Sequence, residues 1–278
     1  MDLERLSERI FELEGGHKAF DFDTFEIHSA FQPVYAINRN SGMLYGVEAL
    51  ARPLYRGTPI EPLDFFARLP AHDRFLADWA CLCLHLSNAA AWQLGNTALF
   101  VNLNPASCRF TDQMIKGLEA YAGMVRERGL SPSNVVFEIT EQDAQDTRAL
   151  HIITTKLHEL GFQLAIDDFG TGKSDLMRVV SLKPDIVKVD AGWFRKMMDG
   201  ETTRQFAHQI ILKLHAIGVH LLFEGVETPR ELHWARECAG SLIQGWLFGK
   251  AVPMEAATGA ARVEMPEAQT QSAEKQWA

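Results

Sequence analysis

The stretch Leu164-Ala165-Ile166-Asp167-Asp168-Phe169-Gly170-Thr171-Gly172 carries an apolar strand into a glycine-rich loop and sets two adjacent carboxylates at the junction. Five more apolar segments reach a polar residue near their downstream ends: Val101-Asn102, Phe137-Glu138, Val187-Lys188, Phe223-Glu224 and Ile243-Gln244. Burying so many polar groups separately would be costly. Convergence on divalent cations and a phosphate substrate gives each of them a partner.

Working outward, apolar strands and amphipathic helices alternate. Strands are predicted at residues 97–103, 134–139, 162–167, 185–189, 219–224 and 242–245, with helices at 72–93, 111–128, 144–159, 174–181, 202–216 and 229–238. Upstream, residues 29–37 and 43–51 read as strands joined by Asn38-Arg39-Asn40-Ser41-Gly42. Five turn-forming residues are too few for a parallel crossover, so this pair is antiparallel. Eight strands with helices between most of them predict an α/β fold, a modified (β/α)8 TIM-like barrel with one antiparallel strand. In such a barrel the site lies at the C-terminal ends of the strands, where the polar residues above are found.

The barrel is expected to span residues 26–258. Before it, Leu3, Leu6, Ile10 and Leu13 recur among charged residues and precede Gly15-Gly16, which predicts a lead-in helix within residues 1–25. After it, residues 259–278 lack apolar periodicity and read as a flexible tail. The chain has 278 residues, 47% of them hydrophobic, ordinary for a globular protein. Its 27 basic against 36 acidic residues give a net charge of −9, which argues against a long nucleic acid as partner. A small phosphodiester remains compatible if metal ions reverse the local potential. Cys81, Cys83, Cys108 and Cys238 lack the spacing of a zinc site. The N-terminal residues do not form a secretory signal and no run is long enough to span a bilayer, so direct membrane insertion is not expected and a soluble, cytoplasmic protein is.

Strand alternation points one of Asp167 and Asp168 inward and leaves the other to the start of the loop. Singly, an Asp-Asp pair is also a common helix cap, and Glu48, Glu138 or Glu224 is equally at home facing solvent. Jointly they make a cage of oxygen ligands, to which Asn102 adds a neutral one, suited to Mg²⁺ or Mn²⁺ rather than copper or zinc. Lys188 is either snorkelling to the rim, paired with Asp190, or part of the site, where it would orient the attacking water, accept its proton or steady developing charge. Gln32 and Arg52 are candidates to hold phosphate and base or sugar.

Together these residues closely resemble the EAL-type cyclic-di-GMP phosphodiesterases of bacteria. Glu48-Ala49-Leu50 supplies the name-giving triplet, and the resemblance runs from about Phe31 to Pro253. It covers Gln32-Pro33, Val101-Asn102-Leu103, Glu138-Ile139-Thr140-Glu141, Asp167 to Gly172, Lys188-Val189-Asp190, Glu224-Gly225-Val226-Glu227-Thr228 and Gln244-Gly245. The resemblance implies two divalent ions, Mg²⁺ or Mn²⁺, one held by Glu48, Asn102, Glu138 and Asp167, the other by Asp167, Asp168 and Glu224, directly or through water. It implies Glu48, Asp167, Asp168 and Lys188 as catalytic, hydrolysis of cyclic-di-GMP to the linear dinucleotide pGpG, and substrate contacts from Gln32, Leu50, Arg52 and Gln244. Glu141 and Glu227 are implied to brace the loop after Asp168, and a homodimer is implied as the assembly. The chain departs from the family at Lys173-Ser174-Asp175, where a Tyr-Ser-Ser run is frequent, and at Gly245-Trp246, where Gly-Tyr is. The alternatives to an enzyme are a receptor that binds the nucleotide without cleaving it and a regulator acting through protein contacts.

Overall fold

A computed structural model describes residues 3–38, 41–92, 95–139, 147–171, 176–259 and 261–264. In chain order its elements are α1 (Leu3–Ser7), β1 (Ile10–Glu12), β2 (Lys18–Phe22), β3 (Phe25–Ile37), β4 (Ser41–Tyr55), β5 (Thr58–Pro59), α2 (Pro62–Arg68), α3 (Ala71–Ala91) and β6 (Ala98–Leu103). Then follow α4 (Thr111–Glu127), β7 (Val135–Ile139), α5 (Thr147–Leu160), β8 (Gln163–Phe169), α6 (Leu176–Leu182), β9 (Ile186–Val189) and α7 (Ala191–Met198). The last are α8 (Glu201–Ile217), β10 (His220–Phe223), α9 (Pro229–Glu237), β11 (Leu242–Ile243), α10 (Met254–Thr258) and β12 (Arg262–Glu264).

Hydrogen-bonded neighbours run β3-β11-β10-β9-β8-β7-β6-β4, and the β3–β4 pairing closes the ring. Six of those seven strands after β3 pair in parallel with the next, while β3 is antiparallel to both β4 and β11. The expected TIM-like barrel with one reversed strand is therefore the fold. Strands such as β7 and β9 are buried at every position, as required of parallel strands covered on one face by helices and on the other by the barrel interior. Among the described residues no helix is long and apolar enough to cross a membrane.

The barrel interior explains where the site lies. Val34, Ala98, Phe100, Val136, Ala165, Ile186, Leu222 and Leu242 form an apolar floor separate from the larger core between sheet and helices. Strand side chains alternate with period two, so the next inward positions are Asn102, Glu138, Asp167, Lys188, Glu224 and Gln244, each two residues beyond a floor residue. On β4 the same face carries Gly46, Glu48, Leu50 and Arg52. On reversed β3 it carries Gln32, which is paired in register with Glu48.

Both ends of the chain differ from expectation. The N-terminal helix is only Leu3–Ser7, and the remainder forms β1 and β2, paired antiparallel across Gly15 (φ 87°) and Gly16 (φ 83°). Two successive residues in the left-handed region end any helix there and favour a hairpin, and β2 then extends the sheet along β3, with Phe20 opposite Ile27. At the other end, residues 262–264 of the expected tail form β12, while 265–278 lie outside the described residues. β4 begins pairing with β6 only at Gly46, so its first residues present an open edge, which β12 covers by pairing with Ser41–Met43.

Gly46 is set against the floor. A Cβ there would lie 2.7 Å from both Ala98 O and the Phe100 ring. Gly46→Ala is expected to destabilise the barrel by about 1–3 kcal/mol through overpacking, measured as a lower midpoint in urea; an unchanged midpoint would show that both the Phe100 ring and the Ala98 backbone give way at no cost.

Candidate active site

Lys188 lies at the centre of the polar layer, with its side chain 1% exposed. Its Nζ is 2.7 Å from Glu138 Oε1, 2.8 Å from Glu224 Oε1, 3.3 Å from Asp167 Oδ1 and 3.5 Å from Glu48 Oε1. Asp190, the other partner considered for this lysine, instead caps α7 by accepting from Trp193 N at 2.7 Å. Burial alone would push the Lys188 ammonium down, but Asp167, Glu138, Glu224 and Glu48 outweigh it and hold the group well above its ordinary value. Burial raises the carboxyls of Glu138 and Glu224 well above the usual range, against the opposing pull of Lys188.

The two aspartates reach one place by a break in the strand. The β8–β9 register shifts between Ile166 and Phe169, and Asp168 adopts φ 58°, a left-handed conformation that aspartate tolerates better than most side chains. Asp168 N donates to Asp167 Oδ1 at 2.8 Å, which fixes the first carboxylate against the turn of the second. One oxygen from each of Asp167, Asp168 and Glu224 can then lie within 4.8 Å of the others. Strict alternation predicts opposite faces for the two; the bulge is what brings them together.

The donors fit hard divalent cations. They are carboxylate oxygens and the Asn102 amide, Asn102 being paired in register with Glu138, and neither sulfur nor imidazole is among them. Among the described residues, several acids face a single ammonium, which leaves negative charge to be balanced, and Glu138 Oε2 is buried without a hydrogen-bonding partner.

Other expected site residues take distinct places. Gln244 is buried and its Nε2 donates to Glu48 Oε2 at 2.7 Å, so it orients that carboxylate. Gln32 Nε2 donates to Gly249 O at 3.2 Å. Leu50, Arg52 and Asn102 line a cavity of about 320 Å³ beside the cluster, where exposed Arg52 bonds Ala51 O at 2.9 Å. Glu227 Oε1 is 3.4 Å from Arg195 Nη2. Glu141 and Lys173-Ser174-Asp175 lie outside the described residues.

Two residues not singled out from the sequence also line the cavity. Asp78 and His85 lie on α3 with Cys81 and Leu82 between them, at spacings that share one helix face. Polar residues at that spacing within the apolar stretch of the helix at residues 75–86 were the available signal. His85 is buried, pushed down to about 3 by burial and then by Arg52, and its Nδ1 is 2.8 Å from Ser29 Oγ. Asp78 accepts from Ser107 Oγ at 2.7 Å, and burial pushes it up to about 7 even though part of its surface opens into the cavity.

A family model described as the EAL domain matches residues 19–251. The chain belongs to the EAL domain family. This EAL domain is 27% identical over 228 residues to an Escherichia coli protein described as the probable cyclic di-GMP phosphodiesterase PdeB, covering 81% of the chain and 42% of the relative. It is 30% identical over 249 residues to the cyclic di-GMP phosphodiesterase NbdA of Pseudomonas aeruginosa, covering 84% of the chain and 30% of that protein. The chain thus spans less than half the length of these relatives. Among solved structures it is similar to Klebsiella pneumoniae BlrP1 in a manganese and cyclic di-GMP complex, with a TM-score of 0.72 and 26% identity over 87% of this chain and 58% of that one.

Asp78 gives this EAL domain a measurable pH signature. Its folded pKa of about 7 against an ordinary 3.8 means that the folded protein holds a proton the unfolded chain has lost, so stability is present below the lower value and falls as pH rises through the upper. The melting temperature of Asp78→Asn relative to the unsubstituted protein should therefore rise between about pH 4 and pH 7 and level off above; a difference that stays flat with pH would show that Asp78 titrates normally.

Proposed function

We propose that this EAL domain hydrolyses cyclic-di-GMP to the linear dinucleotide pGpG in a reaction that depends on divalent metal. The observation that carries the reading is the ammonium of Lys188 within 3.5 Å of Glu48, Glu138, Asp167 and Glu224, with Asp168 turned toward the same group of acids. The phosphodiesterase names of its relatives and the manganese and cyclic di-GMP complex of BlrP1 support the same substrate and class of cofactor.

Two divalent ions, Mg²⁺ or Mn²⁺, one on Glu48, Asn102, Glu138 and Asp167 and the other on Asp167, Asp168 and Glu224, would supply Lewis-acid stabilisation to the phosphoryl group and acidify the attacking water. The protein's own part is to position. Gln244 fixes Glu48, and the bulge at Asp167-Asp168 presents both acids to one point. Lys188, held as an ammonium among the carboxylates, donates to the attacking water and orients it. One P–O bond to a ribose oxygen breaks as the bond to the water oxygen forms, and the leaving oxygen ends protonated, so one water is added overall. Leu50 and Arg52 face the cavity where the rest of the nucleotide would lie, with Arg52 suited to pair a phosphate, and Gln32 stands across from Glu48. We assign Glu227 to bracing the loop after Asp168 indirectly, through Arg195 and the helix α7 that carries it.

The reading is tested by incubating the protein with cyclic-di-GMP and Mn²⁺ or Mg²⁺, with a chelator control, and separating the nucleotides by chromatography. Conversion to pGpG is expected, with loss on chelation. Lys188→Ala and Glu48→Ala should each lower turnover by about a hundredfold or more, and Glu48→Ala should also weaken metal binding. Binding of cyclic-di-GMP without conversion in the presence of either metal would replace the enzyme with the receptor.

A further inference from the structure

Helix α7, which follows Lys188 by only three residues, touches both loops that carry the outermost acids of the cluster. On the Asp167-Asp168 side, the Trp193 ring lies T-shaped to Phe169 with centroids 6.0 Å apart. It also fills the space beside Gly170, where a Cβ would come within 2.3 Å of the indole. Asp190 N donates to Phe169 O at 3.2 Å, joining the same turn to the start of the helix. On the Glu224 side, Arg195 Nη2 donates to Gly225 O at 2.7 Å and Nε donates to Glu231 Oε1. The other oxygen of Glu231 accepts from Glu227 N and Thr228 N at 2.8 and 2.9 Å. Ala191 packs so closely on Gly225 (φ 58°) that a Cβ there would lie 2.6 Å from the Ala191 methyl.

We propose that Arg195 and Trp193 are positioning residues that hold the Asp167-Asp168 turn and the Glu224 loop at one spacing through α7, and thereby set the affinity of the acidic cluster for divalent metal. The inference rests on the metal-site reading above. A glycine immediately after Glu224 leaves the backbone that carries this ligand free to rotate, and ligand carboxylates must be held within roughly half an ångström of their working positions. Arg195 removes that freedom. Its planar fork bonds a backbone carbonyl and a carboxylate at once, which a lysine cannot do with the same geometry. Its side chain is 40% exposed, so the ion pair with Glu231 adds little to global stability, and its effect is concentrated on the loop it ties down.

The test is Mn²⁺ binding by titration calorimetry on the full chain without nucleotide, for the unsubstituted protein, Arg195→Ala and Arg195→Lys, with metal-free melting temperature as a control for folding. Arg195→Ala should bind Mn²⁺ about ten- to a hundredfold more weakly while its melting temperature moves by no more than about 3 °C. Arg195→Lys should lie between the two, and added guanidinium should partly restore Mn²⁺ binding to Arg195→Ala. Equal Mn²⁺ affinity in the unsubstituted protein and a folded Arg195→Ala overturns this inference alone. So does a loss that is the same in both variants and parallels a large fall in melting temperature. Absence of Mn²⁺ binding by the unsubstituted protein overturns the metal-site reading, and this inference with it.

Discussion

A lysine ammonium in the interior of a barrel is tolerated only where anions surround it, and that condition organises the centre of this molecule. Lys188 is held by carboxylates on β4, β7 and β8 and by Glu224 directly after β10, so its burial requires those four strands to close around β9 at one height. The requirement also runs the other way. Glu138 is fully buried, and without Lys188 its carboxylate would face an uncompensated desolvation cost of about 3–5 kcal/mol. The same lysine does not neutralise its neighbours completely, and the burial that raises Glu138 and Glu224 expresses the remaining demand for positive charge.

Much of this was legible in the residues because the two relevant periodicities are simple. Parallel strands appear as apolar runs, and a polar residue at the downstream end of such a run marks the mouth of a barrel. Glu138, Lys188 and Glu224 were found in that way, and the turn-forming run Asn38–Gly42, whose last two residues lie in β4, pointed to the reversed strand. The roles attached to individual ligands came from likeness to a family, which periodicity does not supply. What could not be read was anything that depends on backbone turning out of a regular path. The bulge that turns Asp168 toward Asp167 contradicts strand alternation, and nothing in the local composition announces it.

Short elements escaped for a related reason. Helix α7 has eight residues between β9 and α8, too few for an amphipathic pattern to stand out, and its one local signal was the capping aspartate Asp190. At the N-terminus, Leu3, Leu6, Ile10 and Leu13 satisfy a helical spacing, but after Ser7 strand pairing with Lys18–Phe22 prevails, because Gly15 and Gly16 favour a turn. Gln244 shows a third limit. A buried amide can be placed against a neighbouring carboxylate only when its partner is seen, and here the partner is Glu48.

The pleat that stacks the polar layer on the floor has a consequence for how such a chain can change length. Each inward acid or amide in the upper layer stands two residues from an apolar floor residue, except Glu48, which stands two residues from Gly46. A single inserted or deleted codon between them would rotate the polar side chain into the helix-facing layer and bring an apolar one into the charged centre, losing both at once. Insertions in the connections after the strands carry no such penalty. Variation in length is therefore confined to the loops around the mouth of the barrel, and the strands beneath are held to a fixed count by the ammonium they enclose.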